Sequence, residues 1–119
     1  MKLGAFGEAY AAGHLLRQGY EIVQRNYRCR GGEIDIVARE GTDLVFVEVK
    51  CRRSSRFGTP EDSITRARYA RLEGAIQHYL GDMPVPAESY RLDVVALEVD
   101  HRGAVTRCNV LRGVGPPER

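Results

Sequence analysis

Apolar positions along this chain recur with two periods, and the switches between them mark out the elements. Residues 4–18 carry Ala5, Phe6, Ala9, Tyr10, Ala12, Leu15 and Leu16 at the spacing of an amphipathic helix, with Gly19 placed to end it. Residues 20–29 alternate and predict a first strand, closed by Gly31-Gly32, where paired glycines turn the chain and let a backbone or a phosphate come close. Two runs rich in Val, Ile and Phe then flank Glu40-Gly41-Thr42-Asp43, the pattern of a β-hairpin over residues 33–50. A polar loop follows to Pro60. A second helix, capped by Asp62 or Ser63, is expected to run to about Leu80, turning Ile64, Ala67, Leu72, Ala75, Ile76, Tyr79 and Leu80 inward, with Gly81 as its stop. Met83-Pro84-Val85-Pro86 links it to a buried strand over 90–99, and Asp100-His101-Arg102-Gly103 turns into a last strand near 104–110. The order is αβββαββ. A helix between two strands makes a crossover, so the pattern predicts one α/β domain over 1–112, a central mixed sheet flanked by helices, and a flexible tail over 113–119.

The hairpin carries acids where a strand does not want them. With an even turn, Arg39 faces Leu44, Val37 faces Phe46 and Asp35 faces Glu48 on one side of the sheet. Like charges opposed across a strand pair destabilise it, and a carboxylate among apolar neighbours is desolvated at a cost. A hard divalent cation relieves both problems, since Mg²⁺ takes one or two carboxylates and completes its shell with water and phosphate. Lys50, two residues beyond Glu48, projects to the same face. Taken alone, Asp35, Glu48 and Lys50 also suit a salt-bridged, solvated outer face. Against that, Leu44 and Phe46 share the face of Glu48 while Val45, Val47, Val49 and Cys51 make the other face apolar, as in a strand buried on both sides.

Charge distribution adds a partner class. The 119 residues carry a formal net charge of only +2, yet residues 50–71 hold seven basic side chains against two acidic ones. The loop carrying Arg52, Arg53 and Arg56 lies next to the acids, where a phosphodiester strand could be held, although a solvated connector has the same composition. Arg66, Arg68 and Arg71 load the first half of the second helix with positive charge, which is unfavourable near a helix N-terminus and points to an anionic partner. Arg25, Arg28 and Arg30, with Tyr20 and Tyr27, suit a nucleic-acid backbone or an exposed edge strand equally. Cys29, Cys51 and Cys108 are isolated and lack metal-ligand spacing, as do His14, His78 and His101, so neither a disulfide framework nor a zinc site is expected. No stretch approaches a membrane span and the N-terminus lacks the apolar core of a signal peptide, so a cytoplasmic location and no membrane partner are expected.

Gly32-Glu33-Ile34-Asp35-Ile36-Val37-Ala38 followed by Leu44-Val45-Phe46-Val47-Glu48-Val49-Lys50 resembles the PD-(D/E)xK nuclease superfamily, and most closely its YraN-like family of small uncharacterised bacterial proteins, related in fold to archaeal Holliday junction resolvases. The likeness spans residues 4 to 111. It implies a restriction-endonuclease-like core and a Mg²⁺- or Mn²⁺-dependent endonuclease acting on DNA rather than RNA, with branched or structured DNA in repair or recombination as the substrate class. It also implies that Asp35, Glu48 and the main-chain carbonyl of Val49 bind the ion, that Lys50 orients and helps deprotonate the attacking water, and that Glu8 and Glu33 are further candidates for a metal or its waters. Arg52, Arg53, Arg56, Arg66 and Arg68 would hold phosphates without reading bases. A homodimer would match a two-fold branched substrate. The alternative is a nucleic-acid-binding or adaptor module that keeps the fold without cleaving. Two positions depart from the pattern: Arg68-Tyr69 stands where relatives carry Lys-Gln, and Ile34 where the superfamily has its proline. Asp93 matches an Arg-Phe-Asp position and reads as a structural partner of a neighbouring arginine.

Overall fold

A computed structural model describes residues 3–53, 60–84 and 86–117. Helix α1 (Leu3–Arg17) leads into β1 (Glu21–Cys29), β2 (Gly32–Glu40) and β3 (Asp43–Arg52). A 3-10 turn over Pro60–Ser63 precedes α2 (Arg66–Gly81), and β4 (Ser89–Val99) and β5 (Val105–Leu111) complete the chain. The expected αβββαββ order is observed. Among the described residues no helix is long and apolar enough to cross a membrane.

The five strands form one sheet in sequence order, β1-β2-β3-β4-β5. Neighbours are antiparallel except β3 and β4, which α2 connects as a crossover and which run parallel. One helix covers each face. Val45 and Val47 of β3 pack with Val95, Leu97 and the α1 residues Ala11, Ala12 and Leu15. Leu44 and Phe46 pack on the other side with Leu72, Ala75 and Ile76 of α2. The central strand β3 is therefore buried on both faces, which explains its unbroken apolar run.

Helix α2 begins later than the sequence suggests. Thr65, extended at φ −84° and ψ 168°, caps it, and its hydroxyl accepts the Arg68 backbone N–H at 3.1 Å. Asp62 and Ser63 belong to the preceding 3-10 turn, so neither caps the helix and Ile64 lies outside it. Several Ser, Thr and Asp side chains in this stretch could accept the first amide, and the geometry of the preceding turn selects Thr65. At the other end of the chain, the base of the expected tail is tied down. Gly113 N–H donates to Asp93 Oδ1 at 3.0 Å and Val114 N–H to the Leu92 carbonyl at 2.7 Å.

Two close approaches fix the helices. At Gly7 a Cβ would stand 2.8 Å from the Cβ of Cys51, so glycine allows the start of α1 to lie directly on β3. Next to it, Glu8 is carried to the end of the sheet where β3 finishes. At the opposite end a cluster around Arg91 holds the strands together. Its guanidinium donates to Asp93 at 3.0 and 3.2 Å, to Asp43 at 2.7 Å and to Glu40 at 2.7 Å, while Tyr20 donates its hydroxyl to Asp93 at 3.0 Å. Asp93 is fully buried, and the reading of it as the partner of a nearby arginine holds. Removing the arginine strands a buried carboxylate, which typically costs about 3–5 kcal/mol. Arg91→Met is therefore expected to lower the unfolding free energy by about 3 kcal/mol or more, read as a fall in the urea midpoint, and Asp93→Asn in the same background should recover part of that loss.

Candidate functional site

The site forms where β2 leaves β3. Their ladder pairs Arg39 with Leu44 and Val37 with Phe46, as the hairpin register predicts, and ends at Ile36 opposite Val47. Strict alternation would then place Ile34 and Ile36 on one face. Instead Ile34 joins the core under α2 and Ile36 the core under α1, so the alternation breaks at Asp35. The expected direct ladder pairing of Asp35 with Glu48 does not form. Its place is taken by the Asp35 carboxylate, whose Oδ2 accepts the Val49 backbone N–H at 2.7 Å. A side chain thus satisfies a β3 amide that the departing strand no longer reaches. On a strand the N–H and C=O of one residue point to the same edge, so the Val49 carbonyl is carried on the edge that faces Asp35.

Glu48 lies on the α2 face with 1% of its surface exposed. Arg68 donates to both of its oxygens, Nε to Oε2 at 2.6 Å and Nη2 to Oε1 at 2.9 Å, and Lys50 Nζ stands 3.5 Å from Oε2. Such a fork-on-carboxylate pair is both strong and directional. The basic first turn of α2 pointed to an anionic partner, and for Arg68 the structure supplies one inside the protein, 20 positions back in the chain. That pairing is invisible in the sequence because it depends on how α2 docks.

The two carboxyl groups are pressed together and titrate apart. Burial is the main influence on Asp35, and the hydrogen bond and charge of Glu48 add to it, so its pKa is pushed up to about 7 despite the Val49 amide. The charge of Glu8 raises it further. Burial also pushes Glu48 upward, but the bonds from Arg68 and Asp35 and the charges of Arg68 and Lys50 outweigh it and hold Glu48 below the usual carboxylate range. Asp35 therefore holds its proton to a much higher pH than Glu48 does.

The remaining candidates are distributed around this pair. Glu8 accepts from Arg25 Nε at 3.0 Å and Asn26 Nδ2 at 2.8 Å, so it is tied to β1 while its field reaches Asp35. Glu33 pairs with Arg28 at 3.4 Å, and its charge acts on Arg68. Arg52 and Arg53 are exposed at the end of β3, and Arg66 is exposed at the start of α2. Arg56 lies outside the described residues. Among the described residues no three His, Cys, Asp or Glu side chains stand together as a metal cluster. Asp35, Glu48 and the Val49 carbonyl are nonetheless an all-oxygen donor set of the size Mg²⁺ takes from protein, with water and phosphate making up the rest. Asp35 and Glu48 lie within hydrogen-bond reach of each other, a closeness of two acids that a divalent ion would relieve, and the donor set fits the ion.

The sequence pattern of the "Uncharacterised protein family UPF0102" is matched over residues 7–97. The chain belongs to that family. The UPF0102 protein of Beutenbergia cavernae is 46% identical over 113 residues, 95% of each chain. That of Moorella thermoacetica is 44% identical over 110 residues, 92% of each chain, and that of Roseiflexus castenholzii 47% over 102 residues, 85% of this chain and 82% of the relative. The matched span runs from Gly7 to Leu97 and so takes in Glu8, Asp35, Glu48, Lys50 and Arg68 together.

Because the Asp35 pKa is about 7 in the folded chain and 3.8 without its surroundings, the folded state binds the extra proton between those values. Stability then falls as pH rises through that window and levels off above it. Asp35→Asn removes this dependence. The melting temperature of the variant relative to wild type should climb steadily from about pH 4 to about pH 7, whereas parallel curves would show that Asp35 is not held protonated.

Proposed function

We propose that this UPF0102 protein is a cytoplasmic, divalent-metal-dependent endonuclease that hydrolyses phosphodiester bonds in DNA. The observation that carries the reading is the convergence of Asp35, Glu48 and Lys50 at the one place where β2 parts from β3. Asp35, Glu48 and the Val49 carbonyl would hold Mg²⁺ or Mn²⁺. When bound, the ion would lower the pKa of a coordinated water and stabilise charge on the phosphorus oxygens. Lys50, anchored against Glu48, would orient the attacking water and offset the charge that develops as water oxygen bonds to phosphorus and the leaving oxygen departs. Arg68 keeps Glu48 ionised and fixed in direction, so the carboxylate is ready as a ligand. Arg52, Arg53 and Arg66 would bind phosphates without reading sequence, a role that Arg56 would share. Branched DNA with two-fold symmetry would be met by a homodimer.

One observation favours a second reading. Arg68 already engages both oxygens of Glu48, so its charge balances that carboxylate without an ion. In that case the chain binds nucleic acid without cutting it, as an adaptor.

The two readings separate in one assay. Labelled single strands, duplexes, flaps, four-way junctions and RNA are incubated with wild type and Lys50→Ala in Mg²⁺, Mn²⁺ or chelator. The nuclease reading expects cleavage of DNA that needs the metal and falls by about 100-fold or more in the variant. Salt-sensitive binding with no cleavage under any metal condition would support the adaptor instead.

A further inference from the structure

Beside the acid pair lies a second basic feature that the reading above does not use. The β1–β2 turn and α2 flank an open cleft of about 430 Å³ lined by Arg28, Arg30, Gly31, Gly32, Glu33 and Arg71. Three guanidinium groups face one carboxylate there. Glu33 is paired with Arg28 at 3.4 Å, and Arg30 and Arg71 are exposed. The floor is bare backbone. Gly32 has φ +153°, and a Cβ there would stand 2.9 Å from the Arg71 carbonyl oxygen, so only glycine lets the turn sit this close to the helix. A glycine floor under arginine walls also suits an anion that must approach the main chain.

The position of the cleft says which anion. Arg71 follows Arg68 by three residues on α2, about 5 Å along the helix axis, and Arg68 holds Glu48. Glu33 belongs to the cleft wall and its charge is felt at Arg68. Arg52, the last residue of β3, and Arg53 after it follow Lys50 in the chain and are exposed. Positive charge thus continues from the carboxylate pair along α2 to the cleft, and phosphates recur every few ångströms along a strand.

We propose that the cleft between the β1–β2 turn and α2 holds a phosphodiester group of a DNA strand, next to the phosphate that lies at Asp35, Glu48 and Lys50. This rests on the nucleic-acid reading of the neighbouring site, but it does not require that site to cleave. The test is therefore made in chelator, by anisotropy of a labelled single-stranded DNA across about 50 to 200 mM salt. Arg30→Gln with Arg71→Gln is expected to lessen the slope of log affinity against log salt by about 0.7, the value for one phosphate of a single strand, and Arg30→Gln alone by less. The Lys-for-Arg double variant should restore the wild-type slope. Arg17→Gln with Arg39→Gln, which removes the same charge at the opposite end of the sheet, should leave the slope unchanged.

An unaltered slope in the cleft variant, an equal loss in the Arg17 and Arg39 variant, or no DNA binding by wild type would overturn the proposal. Cleavage in metal with no change of slope keeps the nuclease and removes the cleft. A changed slope without cleavage does the reverse.

Discussion

The end of the β2–β3 ladder is the constraint on which the rest of the site depends. Because the part of β2 before Ile36 is not paired with β3, the Val49 amide lacks a strand partner there, and an orphaned main-chain N–H in this setting is costly. Asp35 supplies the missing acceptor, which draws its carboxylate to the buried Glu48. Burial and a like charge then act on the same group. Arg68 and Lys50 are placed to neutralise Glu48, and among the described residues no comparable fork serves Asp35. The sheet therefore ends in a pair of acids whose two nearby cations, Arg68 and Lys50, both lie against Glu48.

The opposite end of the sheet shows how the same fold treats acids that have only a structural task. Asp93 is as buried as Glu48, yet it receives Arg91, the Tyr20 hydroxyl and the Gly113 amide. Arg91 also binds Glu40 and Asp43, Arg112 pairs with Glu40, and Ser89 donates to Asp43. The bond from Arg107, with that from Asn109, outweighs burial at Glu61, holds its pKa at about 2 and ties the 3-10 turn to β5. In these clusters every buried carboxylate has its cations at hand. Among the described carboxylates the half-buried Asp35 is the one pushed upward, and groups whose surroundings disfavour their charged form are where chemistry is to be sought.

Much of this could be read from the chain. The turn at Gly41 fixed a register that placed Val37 against Phe46, and the two-residue spacing put Lys50 beside Glu48. The apolar run from Leu44 to Val47 reported a strand covered on both faces, because only a doubly buried strand lacks alternation. What stayed hidden depends on docking. Ile34-Asp35-Ile36 looks like regular alternation, so nothing in it announces that the two isoleucines enter opposite cores. Arg68 meets Glu48 only because Thr65 sets the start of α2 and the helix lies over β2 and β3. The anchoring of Gly113 and Val114 likewise follows from Asp93 and Leu92 being close at hand, not from local composition.

The most direct test of the claim that these two acids form a cation site is to locate a paramagnetic ion by NMR. Substoichiometric Mn²⁺ added to the isotope-labelled protein should broaden Asp35, Glu48, Val49 and Lys50 first, Mg²⁺ should relieve the broadening by competition, and Asp35→Asn should abolish it. Broadening centred on other carboxylates, or unchanged in Asp35→Asn, would contradict the account.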